Sequence, residues 1–188
     1  MKTTEQKIIK FIDREELIKK GDNLLIALSG GPDSVFLLFF LNKFSERFKI
    51  KLSAGYVNHN LRGKDSDGDG KFCRELCNEL KIPLYEESVD VRSFAEENSK
   101  SIEEAARELR YESLNKIASE HKCNKIATAH NKDDNSETVL LNLFKGTGLL
   151  GISGIPISRE NIIRPILCIE KSEVMEYLDQ NKIKFRID

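Results

Sequence analysis

The sequence predicts an α/β protein, a doubly wound, mainly parallel sheet with helices on both faces. Short apolar runs of strand type alternate with helical stretches along the chain, the pattern of successive βαβ units. The most apolar run, Leu24-Leu25-Ile26-Ala27-Leu28, suits a strand buried on both faces of a parallel sheet. Chemically dense polar segments follow such runs directly, where open α/β sheets collect their ligand-binding loops. With 188 residues the chain is long enough for one well-buried domain and short for two, so one domain over 1–188 is expected.

The elements follow in order. Residues 5–19 place Ile8, Ile9, Phe11, Ile12, Leu17 and Ile18 among charges, an amphipathic helix suited to one edge of the sheet. Gly21-Asp22-Asn23 breaks it before the first strand. Val35 to Leu41 is too densely apolar for an exposed helix and should pack on that strand. Lys51 to Val57 reads as a second strand ending in the loop 58–63, Gly70 to Leu80 as a helix, and Pro83 to Val89 as a third strand. Val91 to Glu97 is a short helical or irregular piece. Ser101-Ile102-Glu103-Glu104 matches a capping box that opens a helix running to about His121. Residues 123–129 form a fourth strand, followed by an apolar helix from Val139 to Phe144 and a glycine-rich loop over 145–154. Ile162 to Ile166 reads as a strand, Glu170 to Asn181 as a helix and Lys182 to Ile187 as a final strand.

Composition removes several function classes. Charged residues make up 32% of the chain and hydrophobic ones 39%, which argues against disorder. No apolar run approaches a bilayer span and Met1 to Lys10 has no apolar segment of signal type, so no membrane partner and a cytoplasmic location are expected. Cys73, Cys77, Cys123 and Cys168 form no C-x-x-C pair and read as free thiols rather than a metal or iron–sulfur site. The net charge of −1, with basic and acidic residues balanced beyond Arg159 as well, gives no global basis for nucleic-acid binding. Asp65-Ser66-Asp67-Gly68-Asp69-Gly70 imitates half of a calcium loop, but the twelfth position from Asp65 is Leu76, so an acidic turn capping the next helix is the better reading.

Two stretches carry chemistry. In Ser29-Gly30-Gly31-Pro32-Asp33-Ser34 the glycines allow a tight turn and close approach of a ligand, and Pro32 sets φ for a helix start. The free N–H groups of the first helical turn then face an anion, with hydroxyls from Ser29 and Ser34. A carboxylate beside a phosphate needs a divalent cation between them, which makes Asp33 a candidate Mg²⁺ contact. The same residues also fit an ordinary βα turn. The second stretch is His130-Asn131-Lys132-Asp133-Asp134-Asn135-Ser136-Glu137-Thr138, at the carboxyl end of the fourth strand. Such a cluster can hold Mg²⁺, bind pyrophosphate and orient an amine; capping of the next helix by Asp133 or Asp134 is the plainer alternative. His59 and Arg62, in a loop leaving a strand's carboxyl end, are candidate nucleotide contacts or members of a solvated loop. Arg107 and Tyr111, four apart on one helix, share a face from which Arg107 can reach a phosphate; Arg110 lies nearby.

Taken together, S-G-G-P-D-S at 29–34, N-H-N-L-R-G at 58–63, E-A-A-R-E-L-R-Y at 104–111, T-A-H-N-K-D-D-N-S-E-T at 128–138, G-T-G-L-L-G-I-S-G-I-P at 146–156 and I-I-R-P-I at 162–166 resemble the tRNA(Ile)-lysidine synthase family of PP-loop ATP pyrophosphatases. The resemblance implies a Rossmann-like PP-loop fold of the adenine nucleotide alpha hydrolase type, with ATP and Mg²⁺ as cofactors. It implies adenylation of the wobble cytidine of isoleucine tRNA with a CAU anticodon, then attack by free L-lysine to give lysidine. Ser29, Gly30, Gly31, Pro32, Asp33 and Ser34, with His59 and Arg62, would bind the nucleotide. Asp33 and Asp134 would serve the metal, Arg107 and His130 would steady phosphates or the adenylated intermediate, and Glu137 would orient lysine. Members of the family continue into carboxyl-terminal tRNA-binding domains, which this chain is expected to lack, and a homodimer is left open. The rival expectations are a PP-loop tRNA thiolase and a nucleotide-binding module without catalysis.

Overall fold

A computed structural model describes residues 3–60, 64–146 and 153–187, with the main chain alone for 64–67. The elements in chain order are α1 (Thr4–Arg14), β1 (Asn23–Ala27), α2 (Pro32–Lys43), α3 (Ser45–Phe48), β2 (Lys51–Asn58), α4 (Lys64–Leu80), β3 (Leu84–Ser88), α5 (Val91–Glu97), α6 (Ile102–Glu120), β4 (Lys125–Ala127), α7 (Lys132–Phe144), β5 (Ser158–Arg159), β6 (Ile162–Ile163) and α8 (Lys171–Gln180). The six strands lie in the order β3-β2-β1-β4-β6-β5. All neighbours are parallel except β5 and β6, which pair antiparallel at the edge. The predicted doubly wound α/β class is the fold found.

Side-chain alternation on β1 divides the core between the two faces. Leu24 and Ile26 join the larger cluster with Phe36, Leu37 and Phe40 of α2, Cys73 of α4 and Leu178 of α8. Leu25, one residue out of phase, joins Leu114, Ile117 and Ala118 of α6. The α6 face is packed close, since a Cβ on Gly55 would stand 3.1 Å from Leu114 Cδ2. α2 buries seven residues, as its apolar density requires, and Phe36 meets Tyr177 of α8 edge-on at 4.9 Å. At the amino ends of the central strands, Lys125 Nζ donates to Asp22 Oδ2 at 2.7 Å and to the Leu17 carbonyl. Burial alone would raise the Asp22 pKa, but bonds from Lys125, Lys19 and Asn124 outweigh it and hold the carboxyl below its ordinary range.

Several boundaries differ from the sequence expectation. α1 stops at Arg14, and Leu17 is buried in the connection rather than on the helix. The stretch from Asp65 to Gly70 is part of α4 and not a turn before it. α7 begins at Lys132, seven residues before the expected start, so the second dense stretch is mostly helical. Its Leu140, Leu141, Leu143 and Phe144 are exposed. Lys182 to Ile187 is no strand; these residues run across the carboxyl end of β1, where Arg186 N donates to the Gly30 carbonyl, instead of pairing along a sheet edge. Among the described residues no helix is long and apolar enough to cross a membrane.

Phe36→Ala should remove the contact that holds α2 to α8 and leave a cavity, lowering unfolding free energy by about 3–5 kcal/mol; urea denaturation followed by circular dichroism measures it.

Candidate active site

Between β1 and β4 the strand order reverses, β1 leading outward to β2 and β4 to β6, so the loops leaving their carboxyl ends part and open a crevice. A cavity of about 820 Å³ occupies it, a volume suited to a small-molecule site. The β1 loop forms its floor. Gly30 has φ +88°, a conformation that disfavours any side chain, and the extended Gly31 caps α2 with Pro32 at its first position. The two serines close the loop on itself, with Ser29 Oγ and Ser34 Oγ 3.1 Å apart and Ser34 Oγ donating to the Gly31 carbonyl at 2.9 Å. Gly31 has ordinary φ, and a Cβ there would meet nothing nearer than Ser29 Oγ at 3.5 Å. The fold therefore does not need a glycine at 31, and the space a Cβ would fill is open to a ligand.

Asn131 joins this loop to the one after β4. It is 1% exposed and caps α7, its Oδ1 accepting from Asp133 N at 2.8 Å and Asp134 N at 3.1 Å. Its own N–H donates to Asp134 Oδ2 at 2.8 Å, completing a capping box. Its Nδ2 then donates across the switch point to Asp33 Oδ1 at 2.9 Å. Burial raises the Asp33 pKa; the Asn131 amide and Lys171 oppose the rise, the Asp134 carboxylate adds to it, and the net shift is upward. The plainer alternative, a cap by Asp133 or Asp134, is corrected: the N-cap is Asn131, with Asp134 as its partner in the box, and an amide can accept from the helix and donate to Asp33 at once, which a carboxylate cannot. The sequence signal was N-x-x-D before an apolar run, a capping-box spacing with Asn in place of Ser or Thr.

The other candidate residues fall in different places. His130 lines the cavity, its Nδ1 3.0 Å from Thr128 Oγ1. Burial, then the Arg164 charge, lowers its pKa to about 4, so near neutral pH it is an uncharged imidazole. His59 also lines the cavity; burial and Arg110 lower its pKa to about 4. Its Nε2 accepts from Arg110 Nε at 3.4 Å, and its buried Nδ1 has no partner among the described residues. Arg107, Arg110 and Tyr111 line the wall from α6, with the Arg107 guanidinium 5.3 Å from the Tyr111 ring centroid. Asp134 acts on the site through Asn131 and its charge on Asp33, and does not line the cavity. Glu137 is exposed on α7, outside the cavity lining. Arg62 lies outside the described residues, as does most of the glycine-rich loop. Sequence reasoning missed Lys171 and Met175 of α8 and the segment 185–187, all of which line the cavity. Nothing local marks them, because only packing of α8 on α2 brings them to the loop.

Among the described residues no group of three or more His, Cys, Asp or Glu converges as a metal cluster. Of the two candidate metal carboxylates only Asp33 lines the cavity, beside the Ser29–Ser34 turn, and one carboxylate sharing the ion with substrate phosphates fits the Mg²⁺ mode.

A family model described as the PP-loop domain matches residues 1–188. The chain belongs to the PP-loop family. ATP use follows from that membership. Curated relatives named tRNA(Ile)-lysidine synthase include those of Clostridioides difficile, 42% identical over 97% of this chain and 40% of that one, and Thermosipho africanus, 43% identical over all of this chain and 44% of that one. The relative from Chlorobaculum tepidum is 39% identical over all of this chain and 57% of its own length. The chain therefore spans about half or less of these relatives. A solved structure, the U34-tRNA thiolase NcsA from Methanococcus maripaludis with its [4Fe-4S] cluster, superposes with a TM-score of 0.76 at 23% identity, over 97% of this chain and 63% of that one. That likeness concerns the fold.

Asn131→Ala should cost about 1–2 kcal/mol through loss of the cap, while Asn131→Asp should keep the cap acceptor and raise the Asp33 pKa further, as read by carboxyl NMR titration. The histidines set a pH dependence. Unfolded imidazoles protonate near 6.5 and these folded ones near 4, so the unfolded state binds more protons in between. Stability should fall as pH drops from about 6.5 to about 4 and then level off. His130→Gln should flatten that slope in a series of thermal melts.

Proposed function

We propose that this chain carries the ATP-dependent adenylation chemistry of a tRNA(Ile)-lysidine synthase. The observation that carries the reading is the Ser29–Ser34 cradle, tied by the Asp33–Asn131 bond to the T-A-H-N-K-D-D-N-S-E-T segment at the switch point, in a chain 37–43% identical to relatives of that name. In the proposed reaction the C2 carbonyl oxygen of the wobble cytidine of isoleucine tRNA, CAU anticodon, attacks the α-phosphorus of ATP. The new O–P bond forms as the Pα–O–Pβ bond breaks and pyrophosphate leaves. The ε-amine of free lysine then attacks C2, forming the C–N bond of lysidine and expelling AMP.

The chain's own groups suit these steps. The free N–H groups of the first α2 turn and the serine hydroxyls bind phosphate oxygens. Arg107 on the opposite wall neutralises charge as pyrophosphate departs, and uncharged His130 offers a hydrogen bond without adding charge. Asp33, the carboxylate that lines the cavity, would hold Mg²⁺, which when bound neutralises the phosphates; the assignment of Asp134 to the metal rests on the family motif. Glu137 is one helical turn along α7 from Asp133, and its assignment to the incoming lysine ammonium rests on the family motif. The proposed setting is the cytoplasm.

The thiolase reading has less support. Cys73, Cys77 and Cys123 are buried and Cys168 partly so, and none lines the cavity. Cys73, near Gly30, has its thiol pushed up to about 12 by burial, far from a reactive thiolate.

The test is pyrophosphate release by the purified chain with ATP, Mg²⁺ and CAU isoleucine tRNA, with and without radiolabelled lysine. Release that needs the tRNA, with label entering it, is expected; release without label would favour thiolation, and ATP binding without release a binding module. Asp33→Ala should lower release about 100-fold or more, and Glu137→Ala should affect label incorporation more than release.

A further inference from the structure

The segment that leaves α8 closes the cradle from above. Arg186 N donates to the Gly30 carbonyl at 2.9 Å. In a planar trans peptide the carbonyl and the following N–H point in opposite directions. A Gly30 carbonyl held by residue 186 therefore keeps the Gly31 N–H on the other side, where Ser29 Oγ stands 3.4 Å away. Without that hold the peptide is free to turn its carbonyl oxygen toward a bound anion, because Gly30 and Gly31 lack the side chains that restrict rotation.

The Arg186 side chain lies against the same turn. Its Cγ is 3.6 Å from where a Cβ on Gly30 would stand, and Phe185, Arg186 and Ile187 all line the cavity. Arg186 Nε donates to Asp69 Oδ1 at 2.9 Å, and Asp69 lines the cavity too. Asp69 belongs to the acidic D-S-D-G-D-G run, which the sequence suggested as a helix-capping turn and which lies within α4. The pair is partly exposed, at 49% and 22% for the two side chains, so it contributes little stability; its effect is to fix where the guanidinium sits. The other guanidinium N–H groups make no hydrogen bond to the described residues. The cavity's remaining cations divide by face: Arg107 and Arg110 come from α6, Lys171 from α8 on the other side of the sheet. A polyphosphate in the crevice would then lie between positive charges from both faces.

We propose that residues 185–187 are a strap completing the phosphate cradle, in which the Arg186 N–H sets the Gly30–Gly31 peptide and the guanidinium, placed by Asp69, binds the phosphates of the nucleotide. The proposal rests on the nucleotide reading above and adds a binding residue to it. A guanidinium–phosphate contact predicts selectivity for the phosphates: Arg186→Ala should weaken ATP about tenfold or more and leave adenosine unchanged. Arg186→Lys should recover part of the loss, Asp69→Asn should weaken ATP less than Arg186→Ala, and Arg186→Pro, which removes the main-chain donor as well, should weaken ATP more. Calorimetric titration of each folded variant with ATP and with adenosine reads all of these. Failure of the wild-type chain to bind ATP would overturn the nucleotide reading and this one together. Wild-type ATP binding that Arg186→Ala leaves within twofold, or equal losses for ATP and adenosine, would overturn the strap alone.

Discussion

One buried amide, the Asn131 side chain, holds the functional end of this molecule together. It starts α7 and, through the same group, fixes Asp33 on α2 across the point where the sheet changes direction. Almost completely removed from water, it has both ends of its amide hydrogen-bonded, so its desolvation is compensated. Two loops that share no sequence neighbourhood thereby acquire a fixed relation. Without it, the Ser29–Ser34 turn and the His130 loop would be two separate strand-end turns, and Asp33, raised in pKa by burial and by the Asp134 charge, would lose the donor that offsets both.

The two ends of the central strands are built for different ends. At the amino end, Asp22, Asn124 and Lys125 form a satisfied polar network in which the cation has its carboxylate and the amide its acceptor. At the carboxyl end, His59 Nδ1 is buried and unpaired among the described residues, and Asp33, bonded to Asn131, has its pKa raised by burial. Buried ionisable groups with shifted pKa values that line one cavity mark a candidate functional site. The apolar layers between the ends keep the two regimes apart, with α2 and α8 locked by Phe36 and Tyr177 on one face and α6 packed through Leu114 on the other.

Much of this was readable in the chain because its causes are local. Leu24 to Leu28 suits a strand buried on both faces, and β1 covers the run to Ala27. Ser101 with Glu104 caps α6 as its spacing requires, and Ser29 to Ser34 makes a strand–turn–helix junction because Gly-Gly-Pro permits little else. Arg107 and Tyr111 stack because four residues bring side chains to one helix face. The errors were of a kind that local patterns invite. Ile183, Phe185 and Ile187 alternate like a strand, yet their segment meets a loop and not a strand edge. The acidic run at 65–70 resembles a turn, yet it is wound into α4 despite the glycines' poor helix propensity.

By itself, then, the sequence determined the order of the elements, the central strand, the cradle and the family motifs, since hydrophobic period, caps and turn chemistry act over a few residues. Only the tertiary structure decided that Asn131 meets Asp33, that Lys171 and Arg186 reach the cavity, that Asp69 belongs beside Arg186, and that Glu137 stands outside the cavity. Those relations join positions about 100 residues apart or more, or depend on which way one helix turns. They follow from how the sheet reverses at β1 and β4 and how α8 packs back on α2, which no local window of the chain contains.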